Sequence, residues 1–425
     1  MSRWQWMLRQ LTRRLWFRAS LIGLLGVFTA IFAAFAEEFV PWKLPGKIGA
    51  DAVESLLNII ASSMLAVTTF SLSVMTSAYG AATSNVTPRA TKLLDEDRVT
   101  QNVLSTFIGT FLFSIVGIIV LKTGAYGERG RLILFAVTIG VVALIVITLL
   151  RWIDHLTRLG RVGETTNRVE QATRNAIEQR LAAPCLGGLP LRVGSAVPDH
   201  AISVMSEEIG YLQNIDMPAL AECADKIGAT INVPLNPGSF VYPDMALAWL
   251  DVDEGRPDDE VIDKIRAAFT IGIERSFDQD PRFGLAVLSE IACRALSPAV
   301  NDFGTAIDVI GRTTRLMALW GKEKSSDEVD YPKIRIPPLQ DDDLFEDAFM
   351  LVGRDGAGLI EVQLRLQKVL LALSQMGGPE FRAAAARQAE MAMDRSAECL
   401  AFESDRHRLT VELEARKAIG PRRSG

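Results

Sequence analysis

The sequence predicts an α-helical membrane protein, with four transmembrane helices followed by a cytoplasmic α+β domain. Three observations predict it. The first 155 of the 425 residues hold four apolar stretches, each near the length that crosses a hydrocarbon core of about 30 Å. The charge is split: 14 basic against 9 acidic residues up to His155, a net of +5, then 31 against 42, a net of −11. Beyond the fourth apolar stretch, short runs rich in β-branched residues alternate with helical patterns. A basic membrane part joined to an acidic soluble part is the simplest arrangement. The acidic part argues against nucleic acid as a partner.

Residues 1–18 form a basic amphipathic segment, with Arg3, Arg9, Arg13, Arg14 and Arg18 set among Trp4, Trp6 and Trp16. Residues 19–36 are apolar and carry no charge. They read either as a retained first span or as a signal peptide, since Ala34-Phe35-Ala36 fits a small-x-small cleavage site. In both cases the chain is outside at Glu37. Pro41, Pro45, Gly46 and Gly49 make an external loop before Ala52. The second span, 52–79, is 28 residues long. At about 1.5 Å per residue it reaches roughly 42 Å, so it tilts or projects beyond the bilayer.

A polar segment follows, in which Thr87-Pro88 is a helix start. The third and fourth spans are 103–121 and 132–153, joined by the turn KTGAYGERGR. Basic residues cluster at the N-terminus, after the second span and after the fourth. The positive-inside rule therefore places both termini in the cytoplasm.

Residues 156–185 continue as a connecting helix, ended by Pro184, Gly187, Gly188 and Pro190. A small β module spans 186–253, with a helix inserted at Met217–Ile227 and a turn at Pro237-Gly238. A helical domain covers 254–345 and includes a strand-like piece, YPKIRIPPL. Residues 346–425 form a C-terminal helical region broken at Gly377-Gly378-Pro379. Its mixed charges suit a helical hairpin or an oligomerising helix. The four cysteines form no CxxC pair, as reduced thiols in a cytosolic compartment would not.

Three groups hold the candidate chemistry. Ser55, Asn58, Ser62, Thr69, Ser73 and Thr76 recur at steps of three, four or seven and share one face of the second span. Small hydroxyl residues serve close helix packing, or line a hydrated path in an oligomer. Arg89, Asp95, Asp97, Arg98 and Gln101, with Lys92, lie on the connector after that span. They read as a solvated charged face or as an element coupling the membrane and soluble parts. The third group is Arg294, Ser297, Asn301, Asp302 and Thr305 in RALSPAVNDFGTA. They read as helix caps with an ion-pair network, or as a ligand pocket completed by Glu274, Arg275, Asp278 and Glu290.

No P-loop, GxSxG, HExxH or dinucleotide fingerprint occurs, and His155, His200 and His407 stand isolated. The sequence therefore predicts no enzyme, no metal site and no cofactor.

Several stretches together resemble a bacterial family of predicted membrane proteins, domain-of-unknown-function family 2254. They are the hydroxyl-rich second span, PRATKLLDEDRVTQNVLSTFIGTF, GYLQNID followed by PGSFV, and above all RALSPAVNDFGTA. The resemblance runs from about residue 10 to 375. The family commonly carries Pro after Asn-Asp, where this chain has Phe303. The resemblance implies membrane location and supplies no established activity. The β module is also similar to barrel-sandwich domains of the biotinyl and lipoyl kind. No lysine sits at its turn, Asn236-Pro237-Gly238-Ser239, so no swinging arm is implied. The functional expectation is a homo-oligomeric, channel-like conduit in the bilayer with a cytoplasmic gating or assembly domain. The alternative is a membrane-anchored sensor or scaffold that binds a ligand or a soluble partner.

Overall fold

The computed structural model describes residues 15–35, 50–95, 97–124, 128–192, 198, 200–252, 257–322 and 329–419. Its described residues form two compact units. One holds the chain up to Ser84 together with Thr91–Thr165, and the other holds Asn85–Ala90 and the chain from Thr166 onward. The expected basic segment, apart from its last four residues, and most of the external loop lie outside the described residues.

The first unit is helical: α1 (Leu15–Phe35), α2 (Ala50–Asn85), all but the first turn of α3 (Pro88–Asp95), α4 (Arg98–Lys122) and α5 (Glu128–Leu156). Among the described residues, three helices are long and apolar enough to cross a membrane: Asp51–Ser84, Val99–Lys122 and Gly130–Leu156. The first of the four expected spans falls short, its apolar part being Ala19–Phe32. Helix α2 runs past the expected end at Tyr79 to Asn85. Gly80 does not stop it, since one interior glycine costs only about 1 kcal/mol. Pro88 does, because it disfavours helical geometry in the residue before it. Helix α4 starts earlier than expected because Asp97 caps it, accepting from the amides of Val99 and Thr100.

Packing in this unit rests on glycine at one crossing. A Cβ on Gly26 of α1 would lie 2.6 Å from the Gly109 carbonyl oxygen of α4, and one on Gly109 would lie 2.7 Å from Ile22 Cγ2. Only glycine lets the two backbones approach so closely. Leu57, Phe113 and Leu134 fill one half of the interior, and Ile60, Met64, Phe107 and Trp152 the other. Lys122 Nζ meets Glu54 Oε1 at 3.0 Å, tying the end of α4 to the start of α2.

The second unit begins in α6 (Val162–Ala182). The chain then turns through three consecutive left-handed residues, Cys185, Leu186 and Gly187, with φ of 49°, 57° and 84°. Two open sheets follow. The strands are β1 (Gly188–Pro190), β2 (Ile202–Met205), β3 (Gly210–Ile215), β4 (Thr230–Asn232), β5 (Phe240–Val241), β6 (Ala246–Asp251), β7 (Phe269–Gly272) and β8 (Tyr331–Ile336). One sheet has the order β1-β8-β4-β6-β2 and the other β5-β3-β7. The expected inserted helix is α7 (Met217–Ile227), capped by Asp216 and closed by Gly228 in the left-handed region.

No closed barrel is present among the described residues, which differs from the barrel-sandwich expectation. Strands β1 and β5 are two or three residues long. Two strands also come from beyond residue 253: β7 pairs with β3, and β8 pairs in parallel with both β1 and β4. Parallel pairing needs a long crossover, so the module draws in sequence from far away. Val204, Ile231, Leu250, Ile334 and Ile336 fill the core beneath the larger sheet.

The remainder is helical: α8 (Asp259–Ala267), α9 (Pro281–Leu296), α10 (Phe303–Trp320), α11 (Asp341–Phe345), a wide π-turn (Glu346–Met350), α12 (Leu351–Asp355), α13 (Ile360–Leu373), α14 (Pro379–Cys399) and α15 (Glu403–Ile419). Leu285, Leu288, Phe349, Leu366 and Leu370 are fully buried within it. Helix α6 crosses α9 at Gly284, where a Cβ would lie 2.0 Å from Thr173 Oγ1.

Candidate functional site

Helix α2 presents the expected polar face, and it presents it outward. Ser55, Asn58, Ser62, Thr69, Ser73 and Thr76 are all exposed on the surface of the protomer. The apolar positions Val53, Leu57, Ile60 and Met64 turn the other way and are buried. Ser62, Thr69 and Thr76 donate to the carbonyls of Asn58, Leu65 and Leu72, each at 2.9 Å. These bonds satisfy the hydroxyl protons within the helix. Among the described residues the Asn58 amide has no partner.

One hydroxyl of α2 faces inward. Ser71 is fully buried and its Oγ accepts from Trp152 Nε1 of α5 at 2.9 Å. One turn further along α5, the His155 ring stacks on Trp152, with centroids 5.7 Å apart and 26° between planes. His155 Nε2 lies 2.6 Å from Asp97 Oδ2 and 3.2 Å from Thr100 Oγ1. Asp97 is 7% exposed and His155 13%. His155, isolated in the sequence, is therefore part of a buried cluster. The cluster is not a nucleophilic triad. Its hydroxyl and carboxylate meet the same imidazole nitrogen, whereas a relay needs them on opposite ones.

The described connector residues divide between the two units. Arg89 Nη1 pairs with Glu290 Oε1 of α9, and Thr87 Oγ1 donates to Glu290 Oε2 at 3.2 Å, all within the second unit. Asp97 caps α4 in the first unit, and Gln101 is buried there. The side chains of Asp95 and Arg98 lie outside the described residues.

The RALSPAVND turn is a capping structure. Ser297 Oγ donates to the Arg294 carbonyl at 2.7 Å. Asn301 takes up the left-handed region, φ 49°. Asp302 caps α10, accepting from the Thr305 amide at 2.9 Å and its hydroxyl at 2.6 Å. Those Thr305 bonds, the hydroxyl's first, hold the Asp302 carboxyl below its ordinary range. Arg294, Asn301 and Asp302 are exposed, as are Val300 and Phe303 at 49% and 48%. Of the residues expected to complete a pocket with them, Arg275 holds Asp280 at 2.8 and 3.0 Å, and Glu290 holds Arg89.

Ser71, Trp152 and His155 escaped the sequence reading. The signal available was the i, i+3 spacing of Trp152 and His155 at the end of an apolar helix, where amphipathic rings gather.

The chain is 27% identical to an uncharacterized protein of Mycobacterium bovis and to one of Mycobacterium tuberculosis. Each match runs over 266 residues, 61% of this chain and 50% of the relative. The chain thus spans about half the length of the curated relatives it matches. No solved structure matches it. The family model described as predicted membrane protein, DUF2254, matches residues 12–372, from the first helix through α13, and the chain belongs to that family.

Proposed function

We propose that the protein is a homo-oligomeric conduit of the bacterial inner membrane, with both termini in the cytoplasm. In this reading α2 lines the path, and the soluble unit gates or assembles it. The observation that carries the reading is the outward exposure of Ser55, Asn58, Ser62, Thr69, Ser73 and Thr76. The bundle's own packing does not use this face. An amide such as that of Asn58 is expensive to leave facing hydrocarbon. A second copy of α2, or water in a shared path, supplies what the protomer lacks. No charged side chain lies on α2 between Glu54 and Asn85, which suits a wide path of low selectivity more than an ion-coupled carrier.

Two further features support the arrangement. The close Gly26–Gly109 approach packs α1 against α4, which supports reading α1 as part of the membrane bundle. Within the second unit Arg89 pairs with Glu290 of α9, and in this reading a gate acts on the chain through that pair. A sensor or scaffold draws support from the exposed Val300 and Phe303. No role as an enzyme and no cofactor enter this reading.

The test is reconstitution of the purified protein in liposomes, with small-solute and ion flux followed under steps of voltage, tension and pH. Flux above that of empty liposomes, lost on combined Ser62→Leu and Thr69→Leu substitution, is the expected result. A folded protein with no flux under any of these conditions overturns the conduit. A monomer in nanodiscs overturns the shared path.

A further inference from the structure

The motifs GYLQNID and PGSFV meet in the second unit. The Leu212 amide of β3 donates to the Ser239 carbonyl at 2.9 Å, and the Leu212 carbonyl accepts from the Gly238 amide at 2.8 Å. Gly238 in turn rests on Asp280, which leaves no room for a Cβ there. The Gln279 side chain brackets Ile215 of β3: Oε1 accepts from its amide at 3.0 Å and Nε2 donates to its carbonyl at 3.4 Å. Arg180 of α6 runs into this junction, 5% exposed, and its Nη2 donates to the Gln279 carbonyl at 3.4 Å. Among the described residues its Nε and Nη1 have no acceptor. We propose that Arg180 anchors an internal anion site, which takes a small monovalent inorganic anion of the halide kind.

The charges around Arg180 leave it unmatched. Asp280 is the buried carboxylate nearby, 2% exposed, and Arg275 occupies it through Nε and Nη2 at 2.8 and 3.0 Å. The Phe283 amide donates to the same carboxylate at 3.1 Å. Arg282 is held by Asp343 and Asp347 at 2.7 and 2.6 Å. One carboxylate therefore serves Arg275 by direct bonds and Arg180 only at a distance. Burial pushes the Arg180 guanidinium down to about 10, against the opposing pull of Cys185 and Asp280, so it is still a cation at neutral pH. A buried cation with donors left unmade is costly. Nε offers one proton and Nη1 two. An anion supplies the acceptor and the missing charge together, as a charge-assisted bond.

The surroundings set the kind of anion. Both free nitrogens are shut away from solvent, so the anion is small. It carries one charge, because a dianion would be repelled twice as strongly by the Asp280 carboxylate. A halide meets both conditions. The site ties the end of α6 to β3, the Pro237-Gly238 turn and the chain entering α9, which gives the two motifs a shared role. The inference does not depend on whether the protein conducts anything.

The probe is bromide, with the full-length protein in nanodiscs at constant ionic strength and gluconate as the anion it replaces. A ligand that binds the folded state raises Tm as its concentration passes Kd. The expected result is a Tm a few degrees higher in bromide than in gluconate for wild type, and no difference for Arg180→Met. A second readout uses no variant, in case Arg180→Met does not fold. Amide exchange of the wild type is compared in the two salts. Bromide is expected to slow it at 210–215, 236–239 and 276–280 and to leave the rest of the second unit unchanged. Equal Tm and equal exchange in the two salts mean that water alone serves Arg180, and overturn the proposal. So does a bromide effect that Arg180→Met retains, or a response to inorganic phosphate without one to bromide.

Discussion

Arg312 of α10 and Glu170 of α6 face each other at 2.9 Å, each side chain only 13% exposed. Arg312 also holds Asp308 and Asn167, and Arg315 meets Glu170 through two nitrogens. Helix α6 leads the chain into the second unit, and α10 begins at the Asp302 cap. This network sets how the two helices lie against each other. Removing Arg312 leaves Glu170 with Arg315 as its remaining cation, and removing Glu170 leaves Arg312 with Asp308. Arg312→Leu is therefore expected to cost about 1–3 kcal/mol in thermal unfolding, and Arg312→Leu with Glu170→Leu less than the sum of the single changes. Additive losses would show that the two side chains act independently.

Position on α2 decides what a substitution does. Thr69→Leu lies on the exposed face, so stability in detergent is expected to change by no more than about 0.5 kcal/mol. Ser71→Leu crowds a full interior and strands the Trp152 N–H, which is expected to cost about 1–3 kcal/mol. Unfolding followed by circular dichroism compares the two. Equal losses would mean that the face exposed on the protomer is packed within it.

The α1–α4 crossing makes Gly109 irreplaceable. Gly109→Val is expected to separate the helices, because its side chain meets both the carbonyl and the side chain of Ile22. The readout is disulfide trapping between cysteines introduced at Gly23 and Leu112, which also approach closely. Trapping is expected in the otherwise unchanged protein and lost on Gly109→Val. The same experiment decides whether the first helix is retained, since a cleaved leader cannot be trapped.

Asp302→Ala removes the α10 cap and is expected to cost about 1 kcal/mol. Its pH dependence follows from the lowered Asp302 carboxyl. A depressed acid contributes stability above its unfolded value, 3.8, and loses it as pH falls through the lower folded value. The gap between wild type and variant is therefore full at neutral pH and closes in acid below that value. A gap that persists at the acid end would assign the loss to something other than the carboxylate.

Signals confined to a few neighbouring residues were legible in the sequence. The polar face of α2 needs only helical spacing, and Asp302 needs only Thr305 three residues on. The inserted helix Met217–Ile227 carries its own cap and its own glycine stop. What was not legible depends on residues meeting across long separations. Arg89 finds Glu290 201 positions away, and no local pattern in either segment specifies the other. Strand β8 reads as a Pro-rich piece until β1 and β4 supply its parallel partners. The barrel-sandwich expectation rests on one stretch, whereas the sheets draw on three. Histidine 155 looked solitary because its carboxylate lies at the start of another helix.

The hydroxyls of α2 have a further consequence. Ser62, Thr69 and Thr76 each send their proton back along the helix to a carbonyl. What they turn outward is a column of oxygen lone pairs. At those three positions the surface accepts hydrogen bonds, while the Asn58 amide one turn from Ser62 keeps protons to offer.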